Sequence, residues 1–489
     1  MLSCIHQGPR LAARSVGGRK ALGGAHFLAR RLSTHDARYA PTSETVAEPS
    51  APSFAWSPPP LTQAEDEFWR AIPLWSEVSS ADFLSWRWSI GNVVETKRRL
   101  LNFLEAVVPA EVPRDNAFGG IQSRDEFMAD VCRGIDKSAM SVRMMPYVLS
   151  RINWQDPAND PIFRQFLMLE SVMIDDHPKL RLDPLDEQKD EPVPNLVHRY
   201  PDKALFLATS VCPTNCVFCT RSYGVGASTQ LVTKKSFTLS RAKMEAVFKY
   251  IESQEGLHDI VVSGGDSYYL SPNILEWIGD RLIGMKNIER FRIASKGLAI
   301  APSRFLDKAD PWTDALVRVA EKARRAGKHM ALHTHFNHPN EISWITERAS
   351  LRLQQSGVMV RNQTVLLRGV NDNVDTMLSL IRKLAKMAIH PYYVYQCDMV
   401  PAVEHLRTPL QTILDIEAQL QGEIAGFDIP KFVVDLPGGG GKRPAYLHES
   451  YDRETGVSTF TQPALKGRSK EGRTYRYYDP VKPRQDSAV

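Results

Sequence analysis

The 489-residue chain has no apolar run approaching the roughly 18 residues that a membrane-spanning helix needs, so no such span is expected. The body of the chain also lacks an excess of positive charge. The formal charge is +5, from 61 Lys and Arg against 56 Asp and Glu. Six of those cations (Arg10, Arg14, Arg19, Lys20, Arg30, Arg31) precede the first acid, Asp36, and without them the two signs nearly cancel. A broad basic surface for nucleic acid is thereby excluded. Cysteine is scarce: there are six, three of them within eight positions, and none after Cys397. Such scarcity and clustering argue against a secreted disulfide framework and for a metal site in an organelle interior. No internal repeat is present, which removes solenoids and propellers.

Residues 1–35 are Arg-rich and acid-free, with Ser15, Ser33 and Thr34 among them. This is the composition of a mitochondrial transit peptide, cleaved near Arg30-Arg31-Leu32, and it predicts a matrix location. Residues 36–62 follow as a linker rich in Pro, Ser and Ala, with too little apolar surface to order itself. A helical N-terminal region is expected over 63–190, anchored by Trp75, Trp86 and Trp88 and by the run 90–107. It ends in a polar, Pro-marked stretch through Pro184, Pro192 and Pro194.

Beyond it the texture becomes α/β. Strands are predicted at 204–209, 259–262, 290–293, 330–333, 358–363, 392–396 and 431–435, and helices at 241–252, 273–284, 312–326, 341–356 and 374–388. Alternating strand and helix implies parallel pairing with right-handed crossovers, hence an open, partial (β/α)6-type barrel over 191–445. Its active site belongs on loops at the C-terminal strand ends. Residues 446–489 read as a basic, solvated tail.

Cys212, Cys216 and Cys219 form C-x3-C-x2-C directly after the first barrel strand. Three thiolates on one tight loop can hold three irons of a [4Fe–4S] cluster and leave the fourth open. Zinc would want a fourth Cys or His at suitable spacing, and none is near. Ser263-Gly264-Gly265-Asp266 follows the next strand. Gly438–Gly441 precedes Lys442, but Leu436 and Arg443 stand where a phosphate-binding P-loop needs Gly and Ser or Thr. The glycines can instead carry a lysine able to form a Schiff base with pyridoxal phosphate.

The cysteine loop, with Phe218 inside it, resembles that of the radical S-adenosylmethionine superfamily. From about Trp86 to Pro444 the chain resembles lysine 2,3-aminomutases more closely. The matching blocks are 194–202 (PNLVHRYPD), 219–221 (CTR), 262–266 (VSGGD), 334–342 (THFNHPNEI) and 362–372 (NQTVLLRGVND), then 391–398 (PYYVYQCD), 404–409 (EHLRTP) and 432–442 (FVVDLPGGGGK). The resemblance implies a radical-type barrel using a [4Fe–4S] cluster, S-adenosylmethionine and pyridoxal phosphate to move the α-amino group of L-lysine to Cβ. Lys442 would carry the pyridoxal, Arg221 would bind the substrate carboxylate, and Asp398 and Asp435 its distal ammonium. Ser263, Gly264, Gly265, Asp266, His335 and Gln363 would lie near S-adenosylmethionine. Arg199, Lys203 and Lys296 would grip the pyridoxal phosphate group, the two lysines standing where the family has arginine. The structural zinc of bacterial relatives is expected to be absent, because Asn373 replaces one cysteine and the C-terminal cysteines are missing. The expected partners are an amino acid, an electron donor of the flavodoxin or ferredoxin kind, and a second copy of the chain in a homo-oligomer. Arginine as substrate and a metal-binding relative without catalysis are the alternatives.

Overall fold

A computed structural model describes residues 66–112, 123–237, 240–462, 464–465 and 472–481. The expected transit peptide and the whole of the expected linker lie outside them.

The barrel strands alternate. Every second residue is apolar and turned toward the helices (Ala204 and Phe206, Ile260 and Val262, Phe291 and Ile293, Met330 and Leu332), all in one buried cluster. Most residues between them are polar or half-buried, among them Lys203, Asp259, Arg292, His333, Arg361 and Gln363. A parallel sheet covered on both faces is normally apolar on both. Here the inner face is polar because it lines a site.

The sheet runs in chain order: β1 (Leu196–Val197), β2 (Lys203–Leu207), β3 (Asp259–Ser263), β4 (Arg290–Ala294), β5 (His329–Thr334), β6 (Met359–Leu366), β7 (Ile389–Gln396), β8 (Lys431–Leu436) and β9 (Gly441–Pro444). β2 to β8 are parallel, while β1 and β9 pair antiparallel at the two edges, which leaves a curled half-barrel open. Helices Arg241–Glu252, Pro272–Gly284, Trp312–Arg325, Trp344–Gln355 and Val374–Lys386 fill the crossovers much as their spacing predicts. A sixth, Leu410–Leu420, was not anticipated. Ser240, Ser271, Ser343 and Asn373 cap four of these helices with side-chain oxygens.

The N-terminal region is helical as expected, its longest helices being Lys97–Val107 and Arg124–Asp136, but it does not stand apart from the barrel. Trp69, Phe103 and Leu149 share the buried cluster of the barrel, and Trp86 meets Tyr268 ring to ring at 5.5 Å. The supposed tail is structured as well. β10 (Ser450–Asp452), β11 (Val457–Thr461) and β12 (Thr474–Tyr478) form an antiparallel sheet, whose Phe460, Tyr475 and Tyr477 are buried in one cluster with Phe432, Val434 and Leu436 of β8. Its exposed cations conceal a period-2 pattern that buries every second residue.

Candidate active site

The cysteine loop leaves β2 and lies against the end of β3. Ala208 N donates to Ser263 O at 2.9 Å, Gly265 N to Thr209 O at 2.5 Å and Asp266 N to Val211 O at 2.9 Å. A Cβ on Gly264 would stand 2.3 Å from Thr209 O, and one on Gly265 2.5 Å from Val211 O. Gly264 also has φ +119°. The glycine pair therefore serves a backbone-on-backbone contact that seats the cysteines. Asp266 is buried, and its carboxylate accepts Tyr268 N and Lys296 N, both at 2.8 Å, tying the loop after β3 to that after β4.

Burial raises all three thiols, that of Cys216 to about 12, and each lies within electrostatic reach of the others. Among the described residues, no three His, Cys, Asp or Glu side chains converge as they would on a single ion. Three thiols on one short loop suit a polynuclear cluster, whose irons keep the sulfurs apart. Phe218 meets the His335 ring at 6.0 Å, and His335 Nε2 meets Asn337 Oδ1 at 3.0 Å.

On the opposite flank, Lys442, the second residue of β9, lies beside Asp435 of β8, with Nζ 2.7 Å from Oδ2. Burial would lower this ammonium's pKa, but Asp435, Tyr395 and Tyr200 together raise it well above the ordinary lysine range. The glycine run is needed for its turn: Gly438, Gly439 and Gly441 have positive φ, and Cβ atoms on Gly440 and Gly441 would strike the Tyr475 and Tyr200 rings. Asp435 Oδ1 is buried with no hydrogen-bond donor, and Arg199 Nη1 stands 4.0 Å away. Asp398 follows β7. Its carboxyl is pushed up to about 7, first by burial and next by the charge of Asp435, while Thr220 of the cysteine loop donates to it. The sheet thus brings Asp398, Asp435 and Lys442 together and joins them to the cysteine loop through Thr220. Gln363 accepts from Tyr395 OH at 3.1 Å, one ring away from Lys442.

Arg221 carries a partner that the sequence did not announce. Its Nε and Nη2 donate to Glu187 Oε2 and Oε1 at 2.9 and 2.7 Å, and Tyr223 OH donates to Oε2 at 3.0 Å. Burial alone would raise the Glu187 carboxyl, but Arg221, Arg199 and Tyr223 hold it below the usual carboxylate range. The fork is occupied on one side, which leaves Nη1 outside the pair.

No family model matches the chain. Among curated proteins, L-lysine 2,3-aminomutase of Clostridium subterminale is 34% identical over 406 residues, covering 81% of this chain and 88% of the relative. The enzyme of the same name from Acetoanaerobium sticklandii is 35% identical over 369 residues, or 76% and 80% of the two chains. Glutamate 2,3-aminomutase of Clostridioides difficile is 31% identical over 299 residues, or 61% and 66%. The chain belongs to the lysine 2,3-aminomutase family. It is a radical S-adenosylmethionine aminomutase, an isomerase that moves an amino group between carbons of its substrate.

Within that family frame, the three cations expected at one phosphate have different partners. Arg199 donates through Nε to Asp190 at 2.8 Å and through Nη2 to Leu185 O. Lys296 is buried with the cysteine-loop neighbours: Nζ is 2.7 Å from His335 O and 3.8 Å from Glu341 Oε1. Arg199 and Lys203 both share Lys442's surroundings: Arg199 Nη1 stands 4.0 Å from Asp435 Oδ1, and the Lys203 ammonium lies over the Tyr200 ring at 4.2 Å. Tyr200 OH also accepts Lys442 N at 2.8 Å.

Proposed function

We propose that the protein is a lysine 2,3-aminomutase that forms β-lysine from L-lysine. Cys212, Cys216 and Cys219 would hold the cluster, and Lys442 the pyridoxal. When bound, the cluster supplies the electron that opens S-adenosylmethionine, and the pyridoxal carries the migrating nitrogen. The observation that carries the choice of lysine is the buried Asp435 Oδ1, which lacks a donor beside a second carboxyl, Asp398, that burial and mutual charge keep partly protonated. A substrate ammonium satisfies both at once. A side-chain carboxylate, as in glutamate, would meet two acids there.

Arg221 Nη1 would meet the α-carboxylate, with the rest of the fork fixed by Glu187 and Tyr223. The amino acid is then held at both ends, which orients its Cα–Cβ bond for the reaction. Anaerobic protein with reconstituted cluster and both cofactors, given ¹³C-lysine, is expected to yield β-lysine by NMR. Absence of that product, or a higher kcat/KM for arginine, would refute the assignment.

Two further outcomes follow from the geometry. Because the Asp398 carboxyl is raised to about 7, it is protonated in the unliganded site below that pH. A cation between the two acids must displace that proton. KM for lysine should therefore fall as pH rises toward 7 and flatten above it, and the slope should vanish in Asp398→Asn. A wild-type KM that does not change with pH would remove Asp398 from the ammonium site. The same linkage makes the unliganded protein lose stability between the ordinary Asp value, about 3.9, and the raised one, since there only the folded state keeps the proton.

For Glu187→Gln, KM for lysine should rise about tenfold, as expected when a charge-assisted bond that fixes the fork is weakened. kcat should change far less. The melting temperature should also fall, since Arg221 loses its buried counter-charge. An unchanged KM would show that Glu187 only supports the fold.

A further inference from the structure

After Cys219 the chain runs from Ser222 to Phe237 without helix or strand and folds back on the cysteine loop. Gly226 N donates to Ser210 O at 3.1 Å, Phe237 N to Ser210 Oγ at 2.7 Å and Lys235 N to Tyr223 O at 2.8 Å. This return lays the half-buried Lys234 side chain across the turn that follows Cys219. Its Nζ donates to Ser222 O and to Ala139 O, and lies 3.8 Å from Met140 Sδ. Ser222 N in turn donates to Cys219 O at 3.0 Å. Lys234 thereby ties the exit of the cysteine loop to the N-terminal region.

Elsewhere around the thiols, positive charge arrives already paired. Arg143 acts on Cys212, Lys296 on Cys216, and Arg221 and Lys234 on Cys219. Arg143 is held by Glu95 at 2.5 Å and Arg221 by Glu187 at 2.7 Å, while Lys296 stands 3.8 Å from Glu341. Of these four cations, Lys234 is the one without a carboxylate among the described residues. Carbonyl oxygens and a thioether surround it, and the ionisable neighbour that acts on it is Cys219 itself. Burial lowers its ammonium to about 8, which is still above neutrality, and Cys219 pulls the other way.

We propose that Lys234 is a positioning residue that sets the reduction potential of the cluster, its uncompensated charge beside Cys219 favouring the state with one more electron. This rests on Cys212, Cys216 and Cys219 holding a [4Fe–4S] cluster. When a low-potential donor delivers one electron, the negative charge of the cluster with its three thiolates grows by one, and no bond to the protein forms or breaks. A cation in a half-buried, low-dielectric setting stabilises that added charge, and cluster potentials follow the local net charge. An ion pair such as Arg221 with Glu187 largely cancels at the same distance.

The test is a mediated redox titration of the anaerobically reconstituted full chain, followed by the EPR signal of the reduced cluster. S-adenosylmethionine is left out, so that the electron stays on the cluster. Lys234→Gln keeps an N–H donor for the carbonyls but removes the charge. Its midpoint potential should fall by about 60 mV or more, a tenfold smaller ratio of reduced to oxidised cluster at a given poise. Lys234→Arg should stay close to wild type. Lys235→Gln, which removes the exposed neighbouring cation paired with Glu191 at 2.7 Å, should leave the potential where it is. An unchanged potential in Lys234→Gln, or an equal fall in Lys234→Arg or Lys235→Gln, would overturn the proposal. Loss of iron in Lys234→Gln would reduce Lys234 to a clip for the loop and overturn it as well. If wild type itself takes up no four-iron cluster, the reading of the three cysteines fails first.

Discussion

Gly264→Ala is expected to cost the protein its iron, although Gly264 is no ligand. The new Cβ would stand 2.3 Å from Thr209 O and 2.9 Å from Thr209 N, both backbone atoms that cannot rotate away. The residue also sits at φ +119°, which alanine adopts only under strain. The two effects together should lower stability by roughly 2–4 kcal/mol if the loop stays in place. The cheaper response is for the loop to move, because residues 208–211 hold no helix or strand of their own, and Cys212 follows immediately. Displaced thiols cannot present three sulfurs to one cluster. Reconstituted wild type should carry about four irons per chain, and the variant well under one, with activity lost in proportion. Gly284→Ala is the control: it adds a methyl at a helix end where nothing lies within 4 Å, and iron should be unaffected. A Gly264→Ala protein with full iron would mean that the cysteine loop does not depend on its contact with β3.

The barrel was legible because its elements obey two periods. The stretch 241–252 reads as a helix from its apolar spacing, and the helix Arg241–Glu252 buries Met244, Val247, Phe248 and Ile251 on that stripe. The cysteine spacing placed the cluster loop for a similar reason, since three thiols that close cannot avoid sharing a pocket. Glu187 was not legible. It lies in a polar, Pro-marked stretch between an Asp and a Gln, and only the fold carries that stretch to Arg221. The counter-ions of Arg199 and Lys296 were hidden for a related reason: likeness transfers charge, whereas the choice of counter-ion is tertiary. A signal for the polar inner face did exist: in a strand of a parallel sheet, R-F-R-I puts charge at every second residue, where two-sided burial would demand apolar ones. The basic stretch after 446 misled because Thr474 and Arg476 alternate with the buried Tyr475 and Tyr477, and net charge outweighed the alternation.

That last sheet carries the second large effect. A chain ending at Glu449 should fail to form a working site even though every proposed cofactor residue remains. Loss of β10 to β12 removes the partners of Phe432, Val434 and Leu436, and the burial of Phe460, Tyr475 and Tyr477 is worth about 2–3 kcal/mol per ring. It also removes the braces of both substrate loops. Tyr477 OH donates to Cys397 O at 2.9 Å, next to Asp398, and Gln462 Nε2 donates to the carbonyl of Lys442 at 3.0 Å. Glu404 accepts Val481 N at 2.7 Å, and the fully buried Arg407 donates to Tyr478 O. Without that carbonyl the Arg407 guanidinium keeps only Glu404, and a buried cation left short of acceptors destabilises its surroundings strongly. The truncated chain should be insoluble or melt far below wild type, and no lysine turnover should be measurable. Tyr477→Phe separates bracing from bulk burial, since it removes one hydroxyl and keeps the ring. Its stability should fall by about 1 kcal/mol. If the brace matters to Asp398, KM for lysine should rise and its pH dependence should shift, whereas Ser450→Ala at the outer edge of the same sheet should change neither. A Tyr477→Phe enzyme with wild-type KM and pH profile would reduce the sheet to a cover for β8.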